Sequence, residues 1–246
     1  MGYTSGAMST FSGLNASASA LQSVLVRQDI TSNNVANALT AGFKRSRALN
    51  AERAGGGTDI AEISRDYSQG PMEVATNAFD LGIQGEGFFK VQTPNGVGYV
   101  RAGLFGLDKN RELVTPQGFK LSPSVQIPAD ATGFAVGKDG RVMAFRPGGV
   151  QEEVGQITLS RFPSPGGLLQ AGGGVLAPFP SAGIPRDGIP GTPGFGELGT
   201  GMLESSNVDL GQEMVDGIVN LRAFQVNARM IRAQDQMLGT LLDIRR

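Results

Sequence analysis

The sequence predicts an α+β protein in which discontinuous N- and C-terminal helices pair as an α-helical coiled coil, with an all-β domain inserted between them. Three observations carry this expectation. Apolar residues recur at helical spacing near both ends, the middle consists of short apolar or alternating runs broken by turn residues, and the composition shifts where one texture meets the other.

The first element spans Met8 to about Ala38, a stretch rich in Ala, Ser, Asn and Leu and free of proline. Phe11, Leu14, Ala18, Leu21, Leu25, Val35 and Leu39 fall on a 3-4 repeat, with Gln28 and Ser32 as polar interruptions. Its remaining positions are Ser, Asn and Ala instead of Lys and Glu, and the first charged residue is Arg27. Such an exterior suits close packing and solubilises an isolated helix poorly.

The matching helix runs from about Val208 to Ile244. Met214, Leu221, Ala228 and Leu242 alternate there with Phe224, Ile231 and Leu238, interrupted by Gly217 and Asp235. Asn207 or Asp209 is placed to cap its start, Glu213 puts negative charge near the positive end of the helix dipole, and Arg245 and Arg246 suit the other end. Val215, Ile218, Val219, Val226, Met230, Met237, Leu241 and Ile244 lie off that seam. A helix apolar on several sides expects several neighbours.

Between the helices, from about Leu81 to Leu159, runs such as Gly87–Val91, Val97–Val100 and Glu112–Val114 are separated by Asn95-Gly96, Asp108-Lys109-Asn110 and Asp139-Gly140. Several hairpins are expected. The stretch Pro163–Gly201 is dense in glycine and proline, so few ladder hydrogen bonds are expected there, in an ordered loop or isolated strand. The resulting layout is a helical domain from 1–43 with 207–246, a linker region from 44–80 with 199–206, and a β domain over 81–198.

Composition removes whole classes of function. The 246 residues hold 21 Lys plus Arg against 22 Asp plus Glu, so no basic field exists to attract nucleic acid or an anionic membrane. Cysteine, histidine and tryptophan are absent, which excludes disulfides, thiolate chemistry, imidazole metal ligands and His-dependent triads. No catalytic, cofactor-binding or metal site is expected. No apolar run is long enough to span a membrane, and the N-terminus lacks the basic start and apolar centre of a cleavable signal. Export, if it occurs, is expected by a route that needs no cleaved signal peptide.

Two segments invite an enzymatic reading and do not support it. Glu86, in the turn Gly85-Glu86-Gly87, with Asp80 or Asp108 as partner, suggests a glycosidase pair, yet nothing fixes a carboxylate separation. Gly137-Lys138-Asp139-Gly140 lacks the glycine spacing and following helix of a phosphate-binding loop and reads as a β-turn.

Function is therefore expected in packing stripes. Phe11, Leu14, Leu21, Leu25, Leu221, Phe224, Ile231 and Leu238 are the candidates for packing between subunits, and Asn33, Asn34, Asn37, Gly42 and Phe43 for the turn from helix into linker. The competing readings are an intrachain core for the first set and a plain helix stop for the second.

Several blocks also resemble one known family. Ser32-Asn33-Asn34-Val35-Ala36-Asn37 followed by Thr40-Ala41-Gly42-Phe43-Lys44-Arg45 is similar to the N-terminal signature of the flagellar rod and hook family. Asp80–Val91, Tyr99–Phe105 and Leu113–Phe119 resemble the β-domain signature of its larger members, and Gly201–Asp209 leading into Glu213-Met214-Val215 resembles their C-terminal helix start. Gly155–Leu159, Phe162-Pro163, Gly166–Leu168 and Pro190–Gly196 look most like the distal-rod type. Asp66–Met72 resembles the proximal type, the Arg45–Tyr67 segment is shorter than in typical distal rods, and Leu39 stands where Asn is common.

The resemblance implies a structural drive-shaft subunit of the bacterial flagellar basal body. Copies would polymerise helically, terminal helices inside around an export channel and β domains outside, to carry torque to the hook. It implies homo-oligomerisation, contacts with other rod proteins, hook protein and surrounding ring proteins, a periplasm-spanning rod, and export through the flagellar type III apparatus. A proximal rod subunit, a secreted cell-wall hydrolase and a monomeric β-rich adhesin are the alternatives.

Overall fold

The computed structural model describes residues 4–54 and 56–243, with side chains described from 13 to 240. It is an α+β structure with one helix toward each end and a β-rich middle. The chain folds as two compact units, the first from the described residues of 1–38, 45–66 and 208–246, the second from 39–44 and 67–207.

In the first unit, α1 (Thr4–Ala36) and α2 (Leu210–Asp243) pack against each other, and a hairpin of β1 (Ser46–Glu52) and β2 (Thr58–Arg65) packs on α1. Gly13 lies beside Gln234 and Gly217 beside Thr31, so the two helices run antiparallel. Asp209 caps α2, its Oδ1 accepting the Gln212 N–H at 3.1 Å. The hairpin occupies part of the segment expected as linker.

The second unit begins its strands with β3 (Met72–Val74), β4 (Leu81–Gln84), β5 (Phe88–Thr93), β6 (Gly96–Val100), β7 (Gly106–Leu107), β8 (Leu113–Val114) and β9 (Lys120–Leu121). Then come β10 (Gly133–Val136), β11 (Arg141–Phe145), β12 (Gln151–Gln156), β13 (Leu159–Arg161), β14 (Leu169–Gly172), β15 (Val175–Ala177), β16 (Arg186–Gly188), β17 (Glu197–Thr200) and β18 (Met202–Glu204). A nine-stranded sheet runs β14-β15-β6-β5-β9-β8-β7, with β13 also on β5 and β16 on β13. β10-β11-β12 form a three-stranded meander, and β17 pairs with β4 and β18 with β3.

Period-two alternation explains the Phe88-Phe89 pair at the centre of this unit. Phe89 enters the main core with Leu81, Ile83, Val91, Leu113 and Leu121, while Phe88 joins Tyr99, Phe162 and Leu168 in a second cluster. Tyr99 and Phe162 meet edge to face at 4.7 Å between ring centroids. Only the start of the strand is buried on both faces, and there the apolar residues are adjacent; beyond it Lys90 and Gln92 alternate with buried Val91.

The stretch 163–201 carries more ladder than its glycine and proline content suggests. The β14–β15 hairpin joins the main sheet through β6, and β17 pairs with β4. Most of the glycines and prolines fall in the connections, which leaves Val175-Leu176-Ala177 and Glu197–Thr200 free to pair.

Gly103, in the second unit, is required by close approach and not by its φ. A Cβ at Gly103 would lie 1.7 Å from the Leu81 carbonyl oxygen, while the Leu81 N–H donates to the Gly103 carbonyl at 2.9 Å. Gly103→Ala is therefore expected to force β4 away and cost about 1–3 kcal/mol of unfolding free energy. A urea titration reads this as a lower midpoint at unchanged slope.

Candidate assembly interface

The first unit is held by polar contacts that the small residues of α1 make possible. Ser23 Oγ donates to the Thr58 carbonyl at 2.9 Å and Ser19 Oγ accepts the Thr58 N–H at 3.2 Å, fixing the start of β2. Asn34, almost fully buried, holds both backbone groups of Ser46: its Nδ2 donates to the carbonyl and its Oδ1 accepts the N–H, each at 2.9 Å. Arg45 then ties β1 to α2, its guanidinium donating to the buried Glu213 and to Asp216 at 2.9 Å. Part of the small, uncharged face of α1 is thus occupied by the chain's own hairpin.

The face that α2 turns inward is not its most apolar one. Glu213 and Asn220 are 1 % and 5 % exposed, and Gly217, Asn227, Ile231, Gln234 and Leu238 are half-buried on the same stripe. By contrast Met214, Ile218, Leu221, Val226, Met230 and Met237 are 50 to 62 % exposed, with Val215 and Val219 beside them at 54 and 56 %. The inward stripe overlaps the apolar pattern only in part. Positions 217, 228, 231 and 238 are common to both, while 213, 220, 227 and 234 turn inward and Met214, Leu221 and Phe224 stay exposed.

A groove along the line between the helices collects the outward residues of both. Leu25, Met214, Ile218, Leu221 and Phe224 line it together with Val24 and Gln28. Of the packing candidates, Leu25, Leu221 and Phe224 line this groove; Leu14, Leu21, Ile231 and Leu238 are half-buried, and the Phe11 side chain lies outside the described residues. An exposed apolar stripe of this continuity on a long helix marks a protein-binding face.

The turn candidates divide between the two units. Asn37 Nδ2 donates to the Asn33 carbonyl at 2.9 Å, closing the last turn of α1. In the second unit Gly42 adopts a φ of +68°, and its N–H donates to the Glu204 carbonyl at 2.7 Å. A Cβ there would also meet the Ala102 backbone nitrogen at 2.6 Å. The half-buried Phe43 accepts the Asn207 N–H on its carbonyl oxygen.

Beside this turn sits a buried ion cluster. Glu204 accepts from Lys44 Nζ at 2.6 Å, from Arg101 Nε, and from the Gly70 N–H at 2.8 Å. Arg101 spends its other N–H groups on the carbonyls of Ile83, Gly85 and Gly87, and Lys44 donates also to the Ser68 carbonyl at 2.7 Å. Burial alone raises the Glu204 carboxyl, but Arg101, Lys44 and the Gly70 N–H outweigh it and hold the group below its ordinary 4.5. The turn Gly85-Glu86-Gly87 is therefore a wrapping around Arg101, and Glu86 itself is a surface residue paired with Arg161.

Among the described residues no group of three metal-ligating side chains comes together, and no helix is long and apolar enough to cross a membrane. Residues 14–44 match the family described as flagella basal body rod protein, 82–144 the flagellar hook protein FlgE/F/G D1 domain, and 200–244 the flagellar basal body rod FlgEFG protein C-terminal domain. The flagellar basal-body rod protein FlgG of Borreliella burgdorferi is 34% identical, the match covering 89% of this chain and 92% of that one. The chain belongs to the FlgG family of flagellar basal-body rod proteins.

FlgG of Bacillus subtilis is likewise 33% identical, covering 97% of this chain and 99% of that one. The flagellar hook protein FlgE of Salmonella typhimurium matches over 118 residues at 38% identity, 48% of this chain and 29% of the hook protein. This FlgG-family chain is a distal-rod-type structural subunit of the flagellar basal body, acting in motility and not as an enzyme, and its family assembles with other rod and hook proteins. The three matched segments fall on α1 with its following turn, on the core strands of the second unit, and on β18 with α2. The ion pairs of Arg45 with Glu213 and of Arg101 with Glu204 were not anticipated, Glu213 having been read only as a charge near the helix start; the signal for them was the rarity of charge around otherwise apolar blocks.

Proposed function

We propose that this rod subunit polymerises helically with copies of itself, its terminal helices pairing as a coiled-coil layer that encloses an export channel and its β domain facing outward. Phe11, Leu14, Leu21, Leu25, Leu221, Phe224, Ile231 and Leu238 contribute to packing between subunits. The assembly transmits torque from motor to hook as part of a periplasm-spanning rod, passing through ring proteins. Export by the flagellar type III apparatus without a cleaved signal peptide belongs to the same reading.

One observation carries it: α2 keeps polar Glu213 and Asn220 inside and leaves Met214, Ile218, Leu221 and Met230 in water. At about 25 cal/mol per Å² the transfer of these side chains into a neighbour's surface is a large driving force. It is unspent in the isolated chain. Asn33, Asn34, Asn37, Gly42 and Phe43 shape the turn from helix into linker, through which load would pass.

Hydrogen exchange tests the reading. Amides of α1 and α2 are expected to exchange quickly in the purified monomer and much more slowly in isolated basal bodies, while β5 and β6 amides stay protected in both. Equal protection of the helices in the two samples contradicts it.

A further inference from the structure

We infer that one strip of α2, made of Arg222, Gln225, Arg229, Arg232 and Gln236, lines the export channel and makes its wall cationic, so that it attracts acidic stretches of an unfolded polypeptide in transit. This rests on the channel-forming polymer proposed above and adds to it which side of the helix stays wet, and with what charge.

The five residues recur at alternating spacings of three and four, so they share one face of the helix. At about 100° per residue, that face lies opposite the inward stripe of Glu213, Asn220, Asn227 and Gln234. Gln225 is half-buried and the other four are exposed. Arg222 donates to Gln225 Oε1 within the strip at 3.3 Å, and none of the three arginines makes an ion pair among the described residues. Exposed apolar residues border the strip on both sides, Leu221 and Phe224 along one, Val226, Met230 and Met237 along the other.

The two kinds of residue make opposite demands. The apolar borders need neighbours, whereas three guanidinium groups need water or carboxylates. Neighbouring helices of the same chain supply few acids: α1 holds Asp29 alone, Glu213 and Asp216 already hold Arg45, and Asp209 caps α2. Packing the strip between copies would bury unpaired charge in every subunit. A helix placed as a stave in a tube meets both demands, with α1 behind it, the apolar borders against the staves on either side and the arginines facing the lumen. Repeated around a narrow water-filled bore, like charges add, and the low-dielectric wall focuses their field on whatever passes.

Thiol labelling provides the test, because the chain has no cysteine and each introduced one is unique in its subunit. In basal bodies purified from cells carrying only the variant, Gln225→Cys and Gln236→Cys are expected to react with small methanethiosulfonate reagents, while Leu221→Cys and Val226→Cys are protected. A polyethylene-glycol maleimide too wide for the channel is expected to leave all four unmodified. At the strip an anionic reagent is expected to react about tenfold faster than a cationic one of similar size, and adding Arg222→Gln with Arg229→Gln is expected to bring the two rates together. Strip thiols that resist the small reagents, that accept the wide one, or that show no preference for the anion overturn the inference. If instead Leu221→Cys and Val226→Cys label as readily as the strip, the polymer reading itself fails.

Discussion

Glu204→Ala is expected to lower the unfolding free energy of the second unit by about 3–5 kcal/mol, because it removes one partner of a buried ion cluster and leaves the others charged. Lys44 and Arg101 are both nearly inaccessible, and both direct a charged nitrogen at Glu204. Arg101 also stitches together the carbonyls of Ile83, Gly85 and Gly87, so its displacement loosens the approach to β5. Urea unfolding followed by the near-ultraviolet signal of Tyr67 and Tyr99, which pack in that unit, measures the change. An alanine variant within 1 kcal/mol of the parent, roughly the scale of an exposed pair, contradicts the assignment.

The same cluster sets a pH dependence. Burial pushes the Glu204 carboxyl up, yet Arg101, Lys44 and the Gly70 N–H bring it below 4.5. Its contribution is complete above that value, where the carboxylate is charged in folded and unfolded chains alike. It is lost as pH falls through the lower native value, because the unfolded chain takes up the proton first. Asp80 works in the opposite sense: burial raises its carboxyl above 3.8, so protonation relieves a penalty there. Subtracting the Glu204→Ala profile from that of the parent isolates the first effect, expected as a difference that shrinks only below pH 4.5.

What was legible in the sequence were features with short-range causes. Asp209 as a helix cap, the Phe88-Phe89 strand and the Gly137–Gly140 turn each depend on residues a few positions apart. The Glu204 cluster was not legible, since Lys44 and Glu204 are 160 residues apart and only the folded unit brings them together. The β1–β2 hairpin escaped for a different reason. Ser46–Glu52 and Thr58–Arg65 bury little on either face, so they lack the strict alternation that marks a half-buried strand. The helical repeat was visible but not which face turns inward. An apolar pattern names the face that most needs covering without saying whether the chain itself or a neighbour covers it. Here Arg45, just before β1, satisfies Glu213, which lets a polar stripe turn inward and leaves Leu221 and Ile218 outside.

Leu221→Asp separates those two possibilities most directly. Leu221 is 55 % exposed in the isolated chain, so the substitution costs helix propensity and little else, and monomer stability is expected to stay within about 0.5 kcal/mol of the parent. In an assembly the same position is covered. A carboxylate buried there without a partner costs several kcal/mol, and the cost recurs at every subunit. Cells carrying only this variant are expected to produce soluble subunit with an unchanged urea midpoint, no complete rods and no swimming. Ile218→Asp, one turn earlier on the same stripe, is expected to behave alike. Normal rods in both variants contradict an intermolecular role for the outer face of α2. A large loss of monomer stability instead contradicts its exposure, and the inward and outward stripes of the helix would then have to exchange places.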